Sequence, residues 1–380
     1  MTAMEKKDKN LNVPNLRFPE FSGEWEKCTI GDFGNVITGN TPPTTDEENY
    51  DNGTRLWASP SDLGATKYIE STQTLLSDKG FDKTRAFPAN SILVTCIGST
   101  IGKMGMSKTD MASNQQINTI VPVLHNANFV YYAVQSRFPR YLSSIAVQAV
   151  PILSKSSFEK LTNFTTSLKE QTKIGNLLSL IDERIDTQKK IIEKYESLIR
   201  GLYHSIFNNP SSILQLREVV SVVKGKQVNG EELLEEGKYY VMNGGTEPSG
   251  YLNEYNTPAD TISISEGGNS CGYVQYNKEP FWSGGHCYSL MPKSENICYR
   301  FLYHFLKYKE NDIMALRIGS GLPNIQKKDL ERFEVQLPSL ERQREVTTLL
   351  DAISAKLDLE KQLHHIWQSQ KQYLLGSLFI

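Results

Sequence analysis

The chain contains one long stretch twice, SLKEQTKIGNLLSLIDERIDTQKKIIEKYESLIRGLYHSIF at residues 167–207 and SLERQREVTTLLDAISAKLDLEKQLHHIWQSQKQYLLGSLF at residues 339–379. A constant shift of 172 residues aligns the two copies without a gap, and the matched pairs include Ser167–Ser339, Gln171–Gln343 and Phe207–Phe379. An ungapped match of this length indicates an internal duplication.

Apolar residues recur in both copies at alternating spacings of four and three, which is the repeat of a coiled coil. The positions are Ile174, Leu178, Ile181 and Ile185 in the first copy and Val346, Leu350, Ile353 and Leu357 in the second. One position of each seam is polar, Gln188 in the first copy and Glu360 in the second. The pattern predicts two helices, at residues 167–207 and 338–380, each about 60 Å long. Because this length exceeds the core of a small domain, we expect both helices to act as spacers.

The two helices differ at their ends. Ser167 and Glu170 have the spacing of a capping box, which predicts the start of the first helix. The second helix has a poorer seam near its end, where Trp367 and Tyr373 belong to a broader apolar face. That face predicts contact with more than one neighbour.

The segments outside the helices are rich in short strands and share a plan. Residues 17–166 form module 1 and residues 208–337 form module 2. The segment Thr29–Gly39 resembles Gln215–Gly225, and the loop Gly98–Gly102 aligns with Gly268–Gly272. The intervening loops differ in length and content. We therefore predict an α+β (mixed) fold in which each of two related modules is followed by one long helix.

The composition is that of an ordinary water-soluble chain, with 380 residues, 39% hydrophobic residues and a formal net charge of −2. No apolar run approaches the roughly 18 residues of a membrane span. Residues 1–16 are polar and lack the apolar core of a secretory signal, so we expect a flexible leader and a cytoplasmic protein. The near-neutral charge gives no sign of nucleic-acid binding at the level of composition.

Motifs for catalysis or metal binding are missing. The stretch Gly98–Lys103 is one residue too short for a phosphate-binding P-loop. The six histidines are scattered, and the five cysteines never have the C-x-x-C spacing of a zinc site. We expect no catalytic activity, no metal and no cofactor in this chain.

Several segments together resemble the DNA-specificity subunit of type I restriction–modification systems, over nearly the whole chain. The resemblance is carried by the helix opening Ser167–Gln171 and, in the modules, by Trp25–Asp32, Gly39–Pro42, Trp57–Leu63, Gly98–Gly102, Gly244–Thr246, Gly250–Asn256, Ile264–Tyr273 and Pro280–Trp282. The resemblance implies that the modules are target-recognition domains, held apart by two antiparallel helices in a pseudo-twofold arrangement.

The same resemblance implies the partners. Each module would read one half of a bipartite site on double-stranded DNA, and the divergence of the modules predicts an asymmetric site. The helices would dock two modification subunits, which methylate adenine with S-adenosylmethionine. Restriction subunits would join and cleave DNA with ATP and Mg²⁺. A fixed distance between two half-sites explains the duplication, and partner subunits that hold the DNA backbone explain the low charge.

Loop residues with amide, hydroxyl, ammonium or imidazole groups are the candidates for DNA contacts. In module 1 they are Asn40, Thr41, Ser59, Ser61, Ser99, Thr100, Lys103, Asn114, Gln115 and Gln116. In module 2 they are Lys224, Lys226, Gln227, Asn243, Thr246, Asn269, Ser270 and His286. The competing interpretation is that Ser, Thr and Asn at these positions satisfy turn backbones.

Two other functions remain open at this point. One is a stand-alone DNA-binding regulator with two domains and no enzymatic partners. The other is an enzyme whose divergent site lies between the modules.

Overall fold

The computed structural model describes residues 12–144, 152–208, 212–294, 297–319, 321 and 323–380. Most of the predicted leader, residues 1–11, lies outside this part, but residues 12–16 are held in place. Asn12 accepts a hydrogen bond from the backbone of Trp25 (2.7 Å), and the Leu16 amide donates to the carbonyl of Ser377 (2.8 Å).

Module 1 contains short helices and strands around one larger sheet. Its helices are α1 (Ile30–Phe33), α2 (Asp78–Asp82), α3 (Ala127–Ser144) and α4 (Lys155–Glu159), and the long helix α5 (Leu168–Phe207) follows. Its strands are β1 (Glu26–Thr29), β2 (Gly34–Thr38), β3 (Arg55–Ala58), β4 (Tyr68–Ile69), β5 (Thr74–Leu76), β6 (Ile92–Thr95), β7 (Met104–Ser107), β8 (Ala112–Ser113), β9 (Ile117–Pro122) and β10 (Thr162–Thr165).

Module 2 follows a similar order, although its described residues include no counterpart of α2 or β4. Its helices are α6 (Leu216–Val219), α7 (Tyr299–Tyr308), α8 (Glu310–Met314) and α9 (Lys327–Glu331), and the long helix α10 (Leu340–Ser377) follows. Its strands are β11 (Ser212–Gln215), β12 (Val220–Lys224), β13 (Tyr239–Met242), β14 (Tyr251–Leu252), β15 (Thr261–Ser265), β16 (Val274–Asn277), β17 (Trp282–Ser283), β18 (Cys287–Pro292) and β19 (Glu334–Leu337).

The sheets of the two modules have the same topology. The larger sheet has strand order β2-β9-β6-β7-β4 in module 1 and β12-β18-β15-β16 in module 2, so β4 is an addition at one edge. A smaller sheet has order β5-β3-β8 in one module and β14-β13-β17 in the other. Strand β6 is buried on both faces, as its run of β-branched and aliphatic residues predicts. The predicted α+β class and internal repeat are confirmed.

The compact units of the chain do not follow its linear order. Unit 1 comprises residues 1–190 and 362–380, and unit 2 comprises residues 191–361. Each unit therefore holds one module, the first half of the helix that follows it, and the last part of the other long helix. Within each unit the two helical segments run antiparallel, since Asp182 pairs with Lys371 in unit 1 and Glu196 pairs with Lys361 in unit 2.

The ends of the long helices enter aromatic clusters. In unit 1 the ring of Phe379 lies 5.5 Å from Phe129 and 6.0 Å from Trp25. In unit 2 the ring of Phe207 lies 5.4 Å from both Phe301 and Phe305. Phe207, the last residue of α5, and Phe379, two residues after the end of α10, are partners in the sequence repeat and fill equivalent sites. Burying an aromatic side chain of this kind contributes about 2–3 kcal/mol.

Most of the seam residues pack inside their own unit. Ile174, Leu178, Ile181, Val346, Leu350 and Leu357 are buried, and Ile185 and Ile353 are half-buried. Gln188 and Glu360 are also buried, so the polar position of each seam is not on the surface. At the broader face of the second helix, Trp367 is half-buried and the side chain of Tyr373 is 66% exposed.

One glutamine in each long helix joins that helix to its module. Gln171 Oε1 accepts from the backbone amide of Asn126 (3.0 Å), and its Nε2 donates to the Thr166 carbonyl (2.7 Å). Gln343 makes the equivalent bonds to Cys298 and Pro338, at 2.9 and 2.8 Å. Because both glutamines are buried, each bond satisfies backbone groups that water does not reach.

The predicted capping box is half formed. The Glu170 amide donates to Ser167 Oγ (3.4 Å) as expected. The Glu170 carboxylate, however, accepts two hydrogen bonds from Arg17, both 2.8 Å long, and one from Thr166 (2.6 Å). The charged guanidinium, which donates two hydrogen bonds, is a stronger partner than a backbone amide, so Arg17 at the start of module 1 binds the carboxylate.

All five cysteines are free thiols, and three of them are buried. In the described part of the chain, no helix is long and apolar enough to cross a membrane.

Candidate nucleic-acid interface

The glycine-rich loops of the two modules have the same backbone structure. In module 1 the amide of Gly102 donates to Thr95 (2.9 Å), and that of Ile101 donates to Gly98 (3.1 Å). In module 2 Gly272 donates to Ser265 (2.8 Å) and Cys271 to Gly268 (3.1 Å). All four glycines have positive φ, between 79° and 96°, a conformation that side chains disfavour. The sequence alignment of these loops thus corresponds to one structural site in two copies.

Three loops of module 1 meet at one end of its sheets. The Asn40 amide donates to the Ser113 carbonyl, and the Asn114 amide donates to the Ala58 carbonyl, both at 2.9 Å. These bonds bring together the predicted residues around positions 40, 59 and 115. The Gly98–Gly102 loop joins the same end, since Cys96 donates to the Gln116 carbonyl (2.7 Å).

Several predicted residues of module 1 bond within these loops. Asn40 Nδ2 donates to the Lys83 carbonyl (2.9 Å), and its Oδ1 accepts from the Arg85 amide (2.8 Å). Ser59 Oγ bonds to Ser61 Oγ and to the carboxylate of Asp62, both at 2.7 Å. Asn114 bonds Gln116 through both side-chain amide atoms, at 3.0 Å. For Asn40, Ser59 and Asn114 these bonds agree with the turn interpretation.

Other predicted residues of module 1 have more exposed side chains. Thr41 donates to Gln115 Oε1 (2.7 Å), and both residues are exposed. Ser99 is exposed and Thr100 is half-buried on the glycine-rich loop. Lys103 is exposed but lies apart from the others, in a cavity of about 700 Å³ that Lys67, Asp182 and Lys371 also line.

Module 2 brings five predicted residues to one open cavity of about 670 Å³. They are Lys224, Asn243, Asn269, Ser270 and His286. Asn243 Oδ1 accepts from the His286 amide (3.1 Å), which fixes the asparagine against the loop. Lys226, Gln227 and Thr246 are exposed on neighbouring turns outside this cavity. The Gln227 amide donates to the carbonyl of Val228 (3.3 Å).

One tryptophan in each module fixes the equivalent loop, but from different strands. Trp57 Nε1 donates to the Asn40 carbonyl, and Trp282 Nε1 donates to the Lys226 carbonyl, both at 3.0 Å. Trp57 is paired with Ala112 in the parallel β3–β8 ladder, whereas Val241 is paired with Trp282 in the β13–β17 ladder. The tryptophan and its smaller partner have exchanged strands between the two modules. The indole nevertheless donates to the equivalent loop in both.

The structure adds Glu266 to the cavity of module 2, a residue that the sequence analysis did not include. Glu266 Oε1 accepts from Lys224 Nζ (2.7 Å) and from Tyr288 Oη (3.0 Å). Burial, together with the hydrogen bond to Glu266, raises the pKa of Tyr288, so its hydroxyl remains a donor. A signal was available: Glu266 aligns with Cys96, and a charged residue directly after a buried strand is unusual.

The equivalent position of module 1 is neutral. Cys96 takes the place of Glu266, and burial raises the pKa of its thiol to about 12. Thr38 and Asn118 are strand partners, as are Lys224 and Tyr288. Thr38 Oγ1 donates to Asn118 Oδ1 at 2.6 Å. Two homologous sites therefore present different chemistry on the same backbone.

The duplicated domain matches a known family twice. The sequence profile described as "Type I restriction modification DNA specificity domain" matches residues 22–197 and again residues 210–365. The chain belongs to the type I restriction modification DNA specificity family. The two matches cover most of the chain and divide it at the same repeat that the structure displays.

Relatives within the specificity family cover most of the chain. A type I specificity subunit of Mycoplasma genitalium is 28% identical, over 74% of this chain and 78% of its own length. The specificity subunit of the type I restriction enzyme MjaVIII from Methanocaldococcus jannaschii is 24% identical, over 98% of this chain and 95% of its own length.

The fold is also similar to a solved member of the specificity family. The crystal structure of a type I restriction–modification S subunit from M. genitalium superposes with a TM-score of 0.76 and 25% identity. It covers 97% of this chain and 99% of that one. The family resemblance deduced from the sequence is confirmed.

Proposed function

We propose that this chain is the sequence-reading subunit of a type I restriction–modification complex. Module 1 and module 2 each bind one half of a bipartite, asymmetric site on double-stranded DNA. The chain directs adenine methylation by two modification subunits and cleavage by restriction subunits. The observation that carries the proposal is the duplicated specificity domain, whose equivalent loops share a backbone but differ in side chains.

The difference between the modules supports an asymmetric target. Shared backbone geometry suits contacts with phosphate groups, which are the same for every sequence. Base reading requires different donors and acceptors for different bases. The exchange of Thr38, Cys96 and Asn118 for Lys224, Glu266 and Tyr288 changes those groups at one structural position.

The chain itself is proposed to be non-catalytic and to act in the cytoplasm. It needs no bound cofactor, whereas the modification subunits require S-adenosylmethionine and the restriction subunits require ATP and Mg²⁺. The helices α5 and α10 are proposed to dock the modification subunits. Among their residues, Tyr373 offers an exposed aromatic side chain to a partner.

A reconstitution assay tests the function. Purified chain, modification subunits, S-adenosylmethionine and a plasmid library are combined together and with each protein omitted. We expect methylated adenine in a split motif only when both proteins are present. Methylation by the chain alone would reveal an enzyme, and DNA binding that is specific but never supports methylation would favour the stand-alone regulator.

A further inference from the structure

The carboxylate of Glu266 is buried but only half satisfied. Its side chain is 10% exposed, and both hydrogen bonds from Lys224 and Tyr288 go to Oε1. Among the described residues, none donates a hydrogen bond to Oε2. His286 Nδ1 lies 3.8 Å from Oε2, which is too distant for a hydrogen bond. A buried carboxylate oxygen without a donor is costly, and such a group calls for a partner.

The position of Glu266 suggests where that partner comes from. The residue lines the open cavity of module 2, together with the glycines Gly244, Gly245, Gly267 and Gly268. Because glycine has no side chain, another molecule can approach the backbone closely on this side of the cavity. Lys224 lines the same cavity with a side chain that is 54% exposed. An acceptor and a donor thus lie side by side, with 2.7 Å between Glu266 Oε1 and Lys224 Nζ.

This pairing matches one base pair better than the others. In the major groove, cytosine presents the N4 amino group as a donor, and its guanine partner presents O6 and N7 as acceptors. Carboxylate side chains characteristically accept from cytosine N4, and lysine characteristically donates to guanine O6 and N7. A carboxylate beside an ammonium group therefore complements the edge of a C·G pair.

We propose that Glu266 determines specificity in module 2, by accepting a hydrogen bond from the N4 amino group of a cytosine. Lys224 donates to O6 or N7 of the paired guanine. This inference rests on the proposed function, because it requires module 2 to read DNA. Module 1, with Cys96, Thr38 and Asn118 at the equivalent positions, lacks this reader.

The test is a methylome comparison in a methylation-free host that expresses the chain with its modification subunits. The variants are Glu266→Gln, which keeps the size of the side chain, and Lys224→Met. We expect the wild-type motif to contain a required C·G pair in one half-site. In E266Q the discrimination at that single position falls roughly tenfold or more, and adenine becomes accepted, because a glutamine amide pairs with adenine N6 and N7. K224M relaxes the same position.

Glu254→Gln is the matched control, since Glu254 is an exposed carboxylate of the same module. E254Q keeps the wild-type motif. Unchanged specificity in E266Q, uniform weakening at all positions, or relaxation in both half-sites would overturn the role of Glu266 while the proposed function stands. A wild-type complex that methylates no split motif would instead overturn the proposed function itself.

Discussion

The ammonium group of Lys67 lies among polar groups inside unit 1. Its Nζ donates to Asn128 Oδ1 (2.7 Å), to Ser179 Oγ (3.0 Å) and to Tyr132 Oη (3.2 Å). Tyr132 in turn donates to Asp182 (2.6 Å). Burial lowers the pKa of Lys67 to about 8, and the opposing attraction of Asp182 compensates only in part. The folded chain therefore holds a lysine whose charge is costly at neutral pH.

This environment predicts that Lys67 makes the chain more stable at alkaline pH. Below pH 8 the side chain is charged in both states, and folding carries the full cost of burial. Between pH 8 and 10.5 the unfolded chain binds the proton and the folded chain does not, so stability rises with pH. Relative to Lys67→Met, the wild type should gain up to about 3 kcal/mol across this range. Urea unfolding of the wild type and of Lys67→Met at several pH values measures this gain. A stability difference between the two proteins that does not change with pH would contradict the lowered pKa of Lys67.

His304, on α7, contacts the long helix α10 in unit 2 through Asp351. Its Nε2 donates to Asp351 Oδ1 (2.8 Å), and its Nδ1 accepts from Tyr203 Oη (2.9 Å), which fits a neutral imidazole. Burial lowers the pKa of His304, against the attraction of Asp351. Asp351 also pairs with Arg300. Burial opposes the charge of Asp351, but its hydrogen bonds with Arg300 and His304 outweigh that effect and lower its pKa.

We predict that His304 sensitises unit 2 to mild acid. As the pH falls below 6.5, the ordinary pKa of histidine, the unfolded chain takes up a proton that the folded chain does not. Stability therefore decreases as the pH falls through this window. In His304→Gln the decrease between pH 7 and 5.5 should be smaller, whatever the loss of stability at pH 7. Equal slopes for variant and wild type in urea unfolding would show that the imidazole is not the titrating group.

At the scale of the elements, the long helix α5 contains two glycines in opposite situations. A Cβ on Gly175 would lie 2.7 Å from Asn126 Oδ1 and 3.0 Å from the amide nitrogen of Phe129, at the start of α3. Asn126 Oδ1 accepts the hydrogen bond of that amide (3.0 Å). A Cβ on Gly201 would meet nothing within 4 Å. The first glycine allows close packing of α5 on module 1, and the second has no such role.

The two glycines therefore predict opposite effects of the same substitution. Gly175→Ala should destabilise the chain by roughly 1–3 kcal/mol, because the methyl group displaces the start of α3. Gly201→Ala should stabilise it by roughly 0.5–1 kcal/mol, because alanine reduces the conformational entropy of the unfolded chain. Thermal and urea unfolding of both variants measure the pair. Stabilisation by both alanines would disprove the close contact at Gly175.

At the scale of the whole molecule, each unit includes the last part of the long helix that follows the other module. Phe379 enters the core that contains Phe129, and Phe207 enters the core that contains Phe301. Neither module has a complete core without the far end of the chain or of the preceding helix. The repeat partners Phe379 and Phe207 therefore fill equivalent sites in the two units.

This arrangement predicts a result for lengthening the helices. One heptad is inserted in α5 after Lys190 and one in α10 after Lys361, where the chain passes between the compact units. Seven residues preserve the seam and add about 10 Å. That is close to three base-pair steps of about 3.4 Å. We expect the methylated motif to keep both half-sites and to gain about three base pairs between them. Changed half-site bases with an unchanged gap would refute a spacer role.

The amino-acid sequence alone was sufficient to predict the two long helices and the internal repeat of this protein. The four-and-three spacing and the constant shift predicted both long helices, and the glycine pattern placed Gly98–Gly102 and Gly268–Gly272 at equivalent positions. These features depend on residues that are near one another in the chain or on direct comparison of two copies. The physical rules that govern them are local: helical periodicity, and glycine where φ is positive.

Only the tertiary structure decided which groups meet across long separations. The partner of Glu170 is Arg17, the ends of α5 and α10 complete units that they do not follow, and Glu266 shares its cavity with Lys224 and His286. A buried polar or aromatic side chain is stabilised by whichever group reaches it in three dimensions, and a local pattern carries no record of that group. For this reason the helices could be predicted from the sequence, whereas the buried carboxylate in the cavity of module 2 could not.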